Sequence, residues 1–458
     1  MKKHHLILLT SVLFIALFYG ENVGLNLGIL GIAYSVLLLF KTPERNRTRV
    51  FLILFVTSIL SSIAFAWYGD FPSFLAILSS LFLLVFKSKN RNLKSIFVIP
   101  VFAINFFTFF CRIFKFEDWL PKRNTSGNWQ KFISVLVIPT FFILIFFGIY
   151  TSGSEHFANL FTNYEFDFNL WELFWLTLLG FFIAFNIWNF KIERIIFKQN
   201  QFVNNDFVNE DRIQKPTFTF LEINAERTSG IVSLLGLNIL LVIFIITFNY
   251  EQFLEIPKTI NQLSVETHER VNAVILSIIM AILVILFYFK GNFNFDEKAK
   301  SLQILSKIWI FLNGILVLSA MAKNVEYNIV LGLTYKTLGV YAFLALSLIG
   351  LIITFLKIQK HKTNAFLFNH MIWYFYGTIL VCSFINWGGI ITLNNSKRND
   401  FAINFHRGSI NFSEKQLLKY ADEKKDLKLK NEILAQIKAK QTESFLSKTL
   451  YYETTPTQ

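Results

Sequence analysis

The stretch VFLILFVTSILSSIAFAWY, residues Val50–Tyr68, decides the fold. It carries no charged side chain and, at ~1.5 Å rise per residue, is long enough as a helix to cross the roughly 30 Å hydrocarbon core of a bilayer. Its apolar residues surround the whole helix instead of forming one stripe, so it belongs in lipid and not on a soluble core. Arg45, Arg47 and Arg49 stand directly before it, which is where the positive-inside rule places the basic residues of a cytoplasmic loop.

Similar runs recur along the chain, at about 6–19, 23–40, 72–86, 95–112, 132–150, 170–190, 229–249, 271–289, 302–321, 338–356 and 367–387. With Val50–Tyr68 they make twelve apolar segments. Composition agrees: of 458 residues 54% are apolar, 17% aromatic and only 16% charged, against roughly 25% charged in a soluble domain. The expected fold is all-α, a polytopic transmembrane helical bundle of 11–12 spans over 1–393. A soluble, basic, amphipathic helical tail is expected over 394–458. In it, Ser413 caps a helix that runs to about Lys440, and Thr454–Gln458 fray.

Lys2 and Lys3 before the run Leu6–Tyr19 imitate a signal peptide, but Phe18 stands where cleavage needs a small residue, so the expectation is an uncleaved first helix. The formal charge of +14, from 44 Lys and Arg against 30 Asp and Glu, would suggest nucleic acid in a soluble protein. Here the basic residues sit in short loops between apolar runs, so the implied partner is the lipid bilayer and not nucleic acid. Cys111 and Cys382 both fall inside apolar runs, which leaves no disulfide framework and no cysteine-based metal site. No cofactor is implied.

Loop charges order the topology. The loops carrying Lys41 to Arg49, Lys87 to Lys94 and Lys191 to Lys198 should share the cytoplasmic side, yet five apolar segments, an odd number, separate Arg49 from Lys191. One segment therefore does not cross. Residues 95–112 are the choice, with basic flanks on both sides and Pro100 and Asn105 inside the run. This puts the N-terminus in the cytoplasm and the multi-pass chain in the inner membrane. The loops 151–169, 250–270 and 322–337 and the tail then emerge together on the outer face. Lys397, Arg398 and Arg407 fit that placement badly.

Candidate chemistry is sparse. No charged group lies near the middle of a crossing, which argues against a proton relay. Asn238, Asn313 and Asn386 are the tentative substrate path, although helix-to-helix contacts are the commoner use of such residues. His156, His268 and Glu269, with Glu155 and Glu326 in loops of the same face, could act as an acid and base pair or hold a zinc-like ion. His268-Glu269-Arg270-Val271-Asn272 misses the zincin pattern because Asn272 replaces the second His. Thr334 and Lys336 could bind an anion, or simply cap a helix. Gly20, Gly24 and Gly28 put flat spots on one helical face and favour close packing.

Several strings resemble a family. They are Gly24-Leu25-Asn26, His268-Glu269-x-Val271-Asn272, Ile308-Trp309 with Asn313, Tyr327 with Gly332-Leu333-Thr334-x-Lys336 and Gly339-Val340, and Asn386-Trp387 before Asn394. Together they are similar to uncharacterised bacterial polytopic membrane proteins with a domain of unknown function, DUF4153/DUF4173-like. The resemblance implies an integral membrane protein and no assigned reaction. Three functional classes follow: permease-like handling of a small solute or lipid first, then a non-catalytic scaffold or sensor that binds a protein partner through the tail. An outer-face enzyme on a lipid-linked substrate is third, and the chain is read as more a non-enzyme than an enzyme.

Overall fold

The computed structural model describes residues 2–120, 135–136, 138–154, 156–157, 169–208, 220, 222–254 and 260–455. Every regular element among them is helical. The first half holds α1 (Lys3–Phe18), α2 (Leu25–Lys41), α3 (Arg49–Tyr68), α4 (Phe71–Lys89), α5 (Val98–Phe107), α6 (Phe109–Ile113), α7 (Ile138–Gly153), α8 (Leu170–Trp188) and α9 (Arg194–Phe202). The second half holds α10 (Ile223–Phe253), α11 (Ile260–Tyr288), α12 (Lys300–Leu331), α13 (Tyr335–Gln359) and α14 (Asn364–Cys382). The C-terminal part adds α15 (Trp387–Asn395), α16 (Ile403–Ser409), α17 (Glu414–Lys424), α18 (Leu427–Gln441) and α19 (Leu450–Glu453).

Among the described residues, eight helices are long and apolar enough to cross a membrane. The outward faces stay apolar, with Phe311 69% and Ile246 63% exposed, as expected where lipid and not water surrounds the bundle. Local chemistry sets the turns. Gly69, at φ +64°, ends α3 in the left-handed region and Asp70 at once caps α4, its Oδ1 accepting Ser73 N–H at 3.0 Å, so two residues reverse the chain.

Two cores result. Leu6, Tyr34, Phe51, Leu84 and Phe185 join α1–α4 and α8, while Leu234, Ile278, Leu302, Leu316 and Leu344 join α10–α13. Helix α14 bridges them. Its Tyr376 hydroxyl donates to Thr57 Oγ1 at 2.7 Å and lies 2.9 Å from Ser80 Oγ, and its Leu367 packs against Leu286 and Ile353.

One end of the molecule gathers the basic loops. Lys3 Nζ donates to Asp118 O and Asn189 Oδ1, Asn46 Nδ2 to Ser88 O, Lys94 N–H to Asn200 Oδ1, and Thr363 N–H to Asn205 O. Here α2, α4, α8 and α11 end, and cations meet their free carbonyls. Arg47 donates to Thr42 O at 3.0 Å, Arg112 to Asn189 O at 2.8 Å and the fully buried Lys357 to Phe289 O at 2.7 Å. These loop cations therefore cap helix C-termini, where the dipole favours them.

Residues 95–112 stay with the basic loops. The segment starts at Lys94, whose N–H is held by Asn200, and breaks at Thr108 between α5 and α6. Asn105 holds Lys191 by both backbone groups, at 2.8 and 3.0 Å, and Arg112 reaches Asn186 and Asn189 at the end of α8. Both ends of the segment thus sit at one end of the bundle.

Other expectations need correcting. The outer loops expected at 250–270 and 322–337 are largely helical extensions: α12 is 32 residues long, ~48 Å, so it overshoots a ~30 Å core. The tail helix is not continuous to Lys440, because Lys425 at φ +57° separates α17 from α18. Ser413 precedes α17, but its hydroxyl donates to His406 and Ile410 carbonyls and caps nothing. The boundary at 393/394 falls inside α15. Thr454 and Thr455 are held by Tyr451 O, with Thr455 2% exposed, while 456–458 lie outside the described residues. Gly20, at φ +70°, is a turn residue and not part of a helical stripe.

Candidate functional site

The C-terminal part is a packed unit. Leu417, Ala421, Leu429, Ile433 and Ile437 form its own small core between α17 and α18. Four joints hold it: the first, third and fourth seat it on the end of the bundle opposite the basic loops, and the second, between α15 and α16, braces the unit itself.

The first joint surrounds the linker between α12 and α13. Gly332, at φ +88°, ends α12, and Thr334 caps α13 in a reciprocal box with Thr337. Between them, the Asn395 side chain from α15 holds both backbone groups of Leu333: Oδ1 accepts its N–H at 2.8 Å and Nδ2 donates to its C=O at 2.9 Å. Glycine at 332 is required twice, by its positive φ and because a Cβ there would lie 3.0 Å from Asn395 Oδ1. Arg398 donates to Ile329 O at 2.6 Å and to Val330 O, and pairs with Asp400. A second awkward cation, Arg407, pairs with Glu432. These side chains serve as a helix cap and an ion pair.

The second joint is His406, 2% exposed. Its Nε2 lies 3.3 Å from Asn395 Nδ2 and its Nδ1 2.9 Å from Thr392 Oγ1. An amide NH2 can only donate, so Nε2 accepts and the neutral ring carries its proton on Nδ1. Burial holds the imidazole below its ordinary range.

At the third joint Asn386 caps α15, accepting Gly389 N–H at 2.7 Å, and donates to Phe412 O at 3.0 Å. Gly388 lies so close to Asn411 O that a Cβ would sit 1.8 Å from it. Tyr451, 2% exposed, donates to Phe412 O at 3.0 Å and packs its ring edge-on against Phe412 and tilted against Tyr68 of α3. Glu414 accepts from the Tyr452 hydroxyl at 2.9 Å, and burial raises its carboxyl.

The fourth joint is a strap, residues 444–449, laid over the α1–α2 turn. Leu25 N–H donates to Lys448 O at 2.9 Å, Asn26 N–H to Leu446 O at 3.1 Å and Asn22 N–H to Ser447 Oγ at 2.8 Å. Ser444 and Ser447 both donate to Glu21 Oε2, which holds that carboxyl below its usual value. Gly24 has no room for a side chain, since a Cβ would fall 2.2 Å from Ser447 O.

The residues singled out from sequence do not form one pocket among the described residues. Asn238 donates to Leu305 O of α12, Asn313 to Trp309 O of its own helix, and Asn386 belongs to the third joint. Thr334 is the α13 cap and Lys336 is exposed. His156 is exposed; Glu155 and the side chains of His268 and Glu269 lie outside the described residues. Among the described residues no cluster of His, Cys, Asp and Glu could hold a metal. Sequence reasoning missed Asn395, His406, Glu21 and the strap, because polar residues far apart in a chain carry no local sign of meeting.

The tail also presents an open groove of about 570 Å3, lined by Ile403, Asn404, Arg407, Asp426, Lys428 and Glu432. Exposed Phe405 and Leu427 belong to the same unit.

A family model described as Domain of unknown function (DUF4153) matches residues 48–408. No curated protein and no solved structure matches the chain. The matched range contains the Asn395 clasp on Leu333 and the Arg398 contacts but stops before the strap.

Proposed function

The chain belongs to the DUF4153 family, and from that premise we propose that it is a non-catalytic scaffold or sensor of the cytoplasmic membrane, whose folded tail recognises a protein partner. The observation that carries the reading is the tail itself, a unit with its own core, fixed to the bundle at three joints, that displays a charged groove. The strings at 332–334 and 386–387, both within the matched range, each form part of a joint. The permease reading asks for a polar path through the bundle, whereas Asn238, Asn313 and Asn386 are engaged in three separate contacts.

By the positive-inside rule the basic end faces the cytoplasm, and the tail is then outside. Photo-crosslinking residues placed at Asn404 and Lys428 in the native host test the proposal. A discrete protein adduct at both positions, weakened by Arg407→Glu, is the expected result. Adducts to lipid alone, together with solute uptake by proteoliposomes, would return the protein to the transport class.

A further inference from the structure

Helices α10 and α11 are consecutive, yet each leans on α12. Asn238 of α10 donates to Leu305 O at 3.1 Å, and Trp309 Nε1 of α12 donates to Ala281 O of α11 at 3.3 Å. Between α10 and α11 this leaves a wedge-shaped groove of about 640 Å3, walled by Ser233, Leu237, Leu283, Val284 and Phe287. Tyr288 closes its end nearer the basic loops, donating to Ser233 Oγ at 3.1 Å and crossing over Gly230, where a Cβ would lie 3.1 Å from the ring. Leu283 and Phe287 are 48% and 45% exposed, and Lys290 Nζ sits 5.6 Å from the Phe287 ring centre.

The groove opens sideways, between membrane-length helices and through apolar walls, so its occupant comes from the bilayer and not from water. Lipid tails gain almost nothing by exchanging one apolar contact for another inside hydrocarbon. Selection must therefore act at the polar end, where the Tyr288 and Ser233 hydroxyls pair and Lys290 lies over the Phe287 wall, with exposed Lys298 and Lys300 at the same end of the bundle. That chemistry suits a phosphate. We propose that the α10–α11 groove is a binding site for one anionic phospholipid, an acyl chain lying along Leu237 and Leu283 and the phosphate beside Tyr288 and Lys290.

Native mass spectrometry of the full chain in neutral detergent, titrated with phosphatidylglycerol or phosphatidylcholine of identical chains, tests this. The expected result is a first site favouring phosphatidylglycerol about fivefold, the scale of one lysine near a membrane surface. Lys290→Gln should erase the preference while leaving phosphatidylcholine binding. Leu283→Trp, at a half-exposed position where the fold tolerates bulk, should fill the groove and lower first-site occupancy by both lipids. Leu235→Trp, on exposed α10 surface outside the groove, should change neither. Equal binding of the two lipids by the natural chain would overturn the proposal, as would equal effects of the two tryptophans. Displacement of the lipid by inorganic phosphate alone would overturn the acyl-chain assignment.

Discussion

Replacing Gly24 by alanine tests the strap directly. The new methyl would sit 2.2 Å from Ser447 O, 2.6 Å from its carbonyl carbon and 2.7 Å from Lys448 O. All three are backbone atoms, so no side chain can rotate away, and the strap must lift. Lifting breaks the bonds from Asn22, Leu25 and Asn26. At about 0.5–1.5 kcal/mol net each, and with the freed groups regaining water, the loss is about 2 kcal/mol. That raises the population of the lifted strap ~30-fold. When closing outpaces cleavage, proteolysis reports this population. Limited digestion in detergent should therefore cut at Phe445 or Lys448 ~30-fold faster in Gly24→Ala. Gly408→Ala, where nothing lies within 4 Å, should cut at the natural rate. If Gly24→Ala also digests at the natural rate, with the α1–α2 hairpin intact, the strap does not hold the tail as described.

Four further outcomes follow from the same contacts. Asn395→Ala strips Leu333 of both partners, and should lower tail unfolding stability by about 2–3 kcal/mol in hydrogen exchange. His406 has a folded pKa below its ordinary 6.5, so the unfolded tail takes the proton first. Its contribution is complete above that value and declines as pH falls through 6.5 toward the lowered folded pKa. Tail protection should drop on acidification from pH about 7.5 to 5.5, and His406→Gln should flatten that dependence. Asp296→Asn leaves Arg227, 14% exposed and paired at 2.6 Å, without its charge partner, and should cost about 3 kcal/mol in thermal unfolding. Finally, cysteines at Phe114 and Phe116 should label with impermeant reagent from the same side as a cysteine at Lys191; labelling from the opposite side would contradict a 95–112 segment that does not cross.

Much of the bundle was legible because a bilayer imposes a one-dimensional rule. Each span must satisfy its own backbone, so a run such as Val50–Tyr68 declares a helix without reference to any neighbour. Loop charge parity likewise singled out 95–112 for its basic flanks, and both of its ends do meet the basic loops. The joints were not legible. Gly332-Leu333-Thr334 reads as a stop and a start between two helices, but nothing local says that Asn395 will clasp Leu333 from another helix. Nor does the sequence say that Arg398 will hold the carbonyls at the end of α12 or that Arg407 will pair with Glu432.

The sequence by itself determined an all-helical membrane chain and its two unlike ends, because hydropathy and charge act along the chain in lipid. Only the tertiary structure decided that the last seventy or so residues are a docked unit with a strap, and that α10 and α11 part to leave a groove. Those features depend on contacts between residues as distant as Glu21 and Ser447, and a hydrogen bond between such groups exists only once packing has brought them within reach.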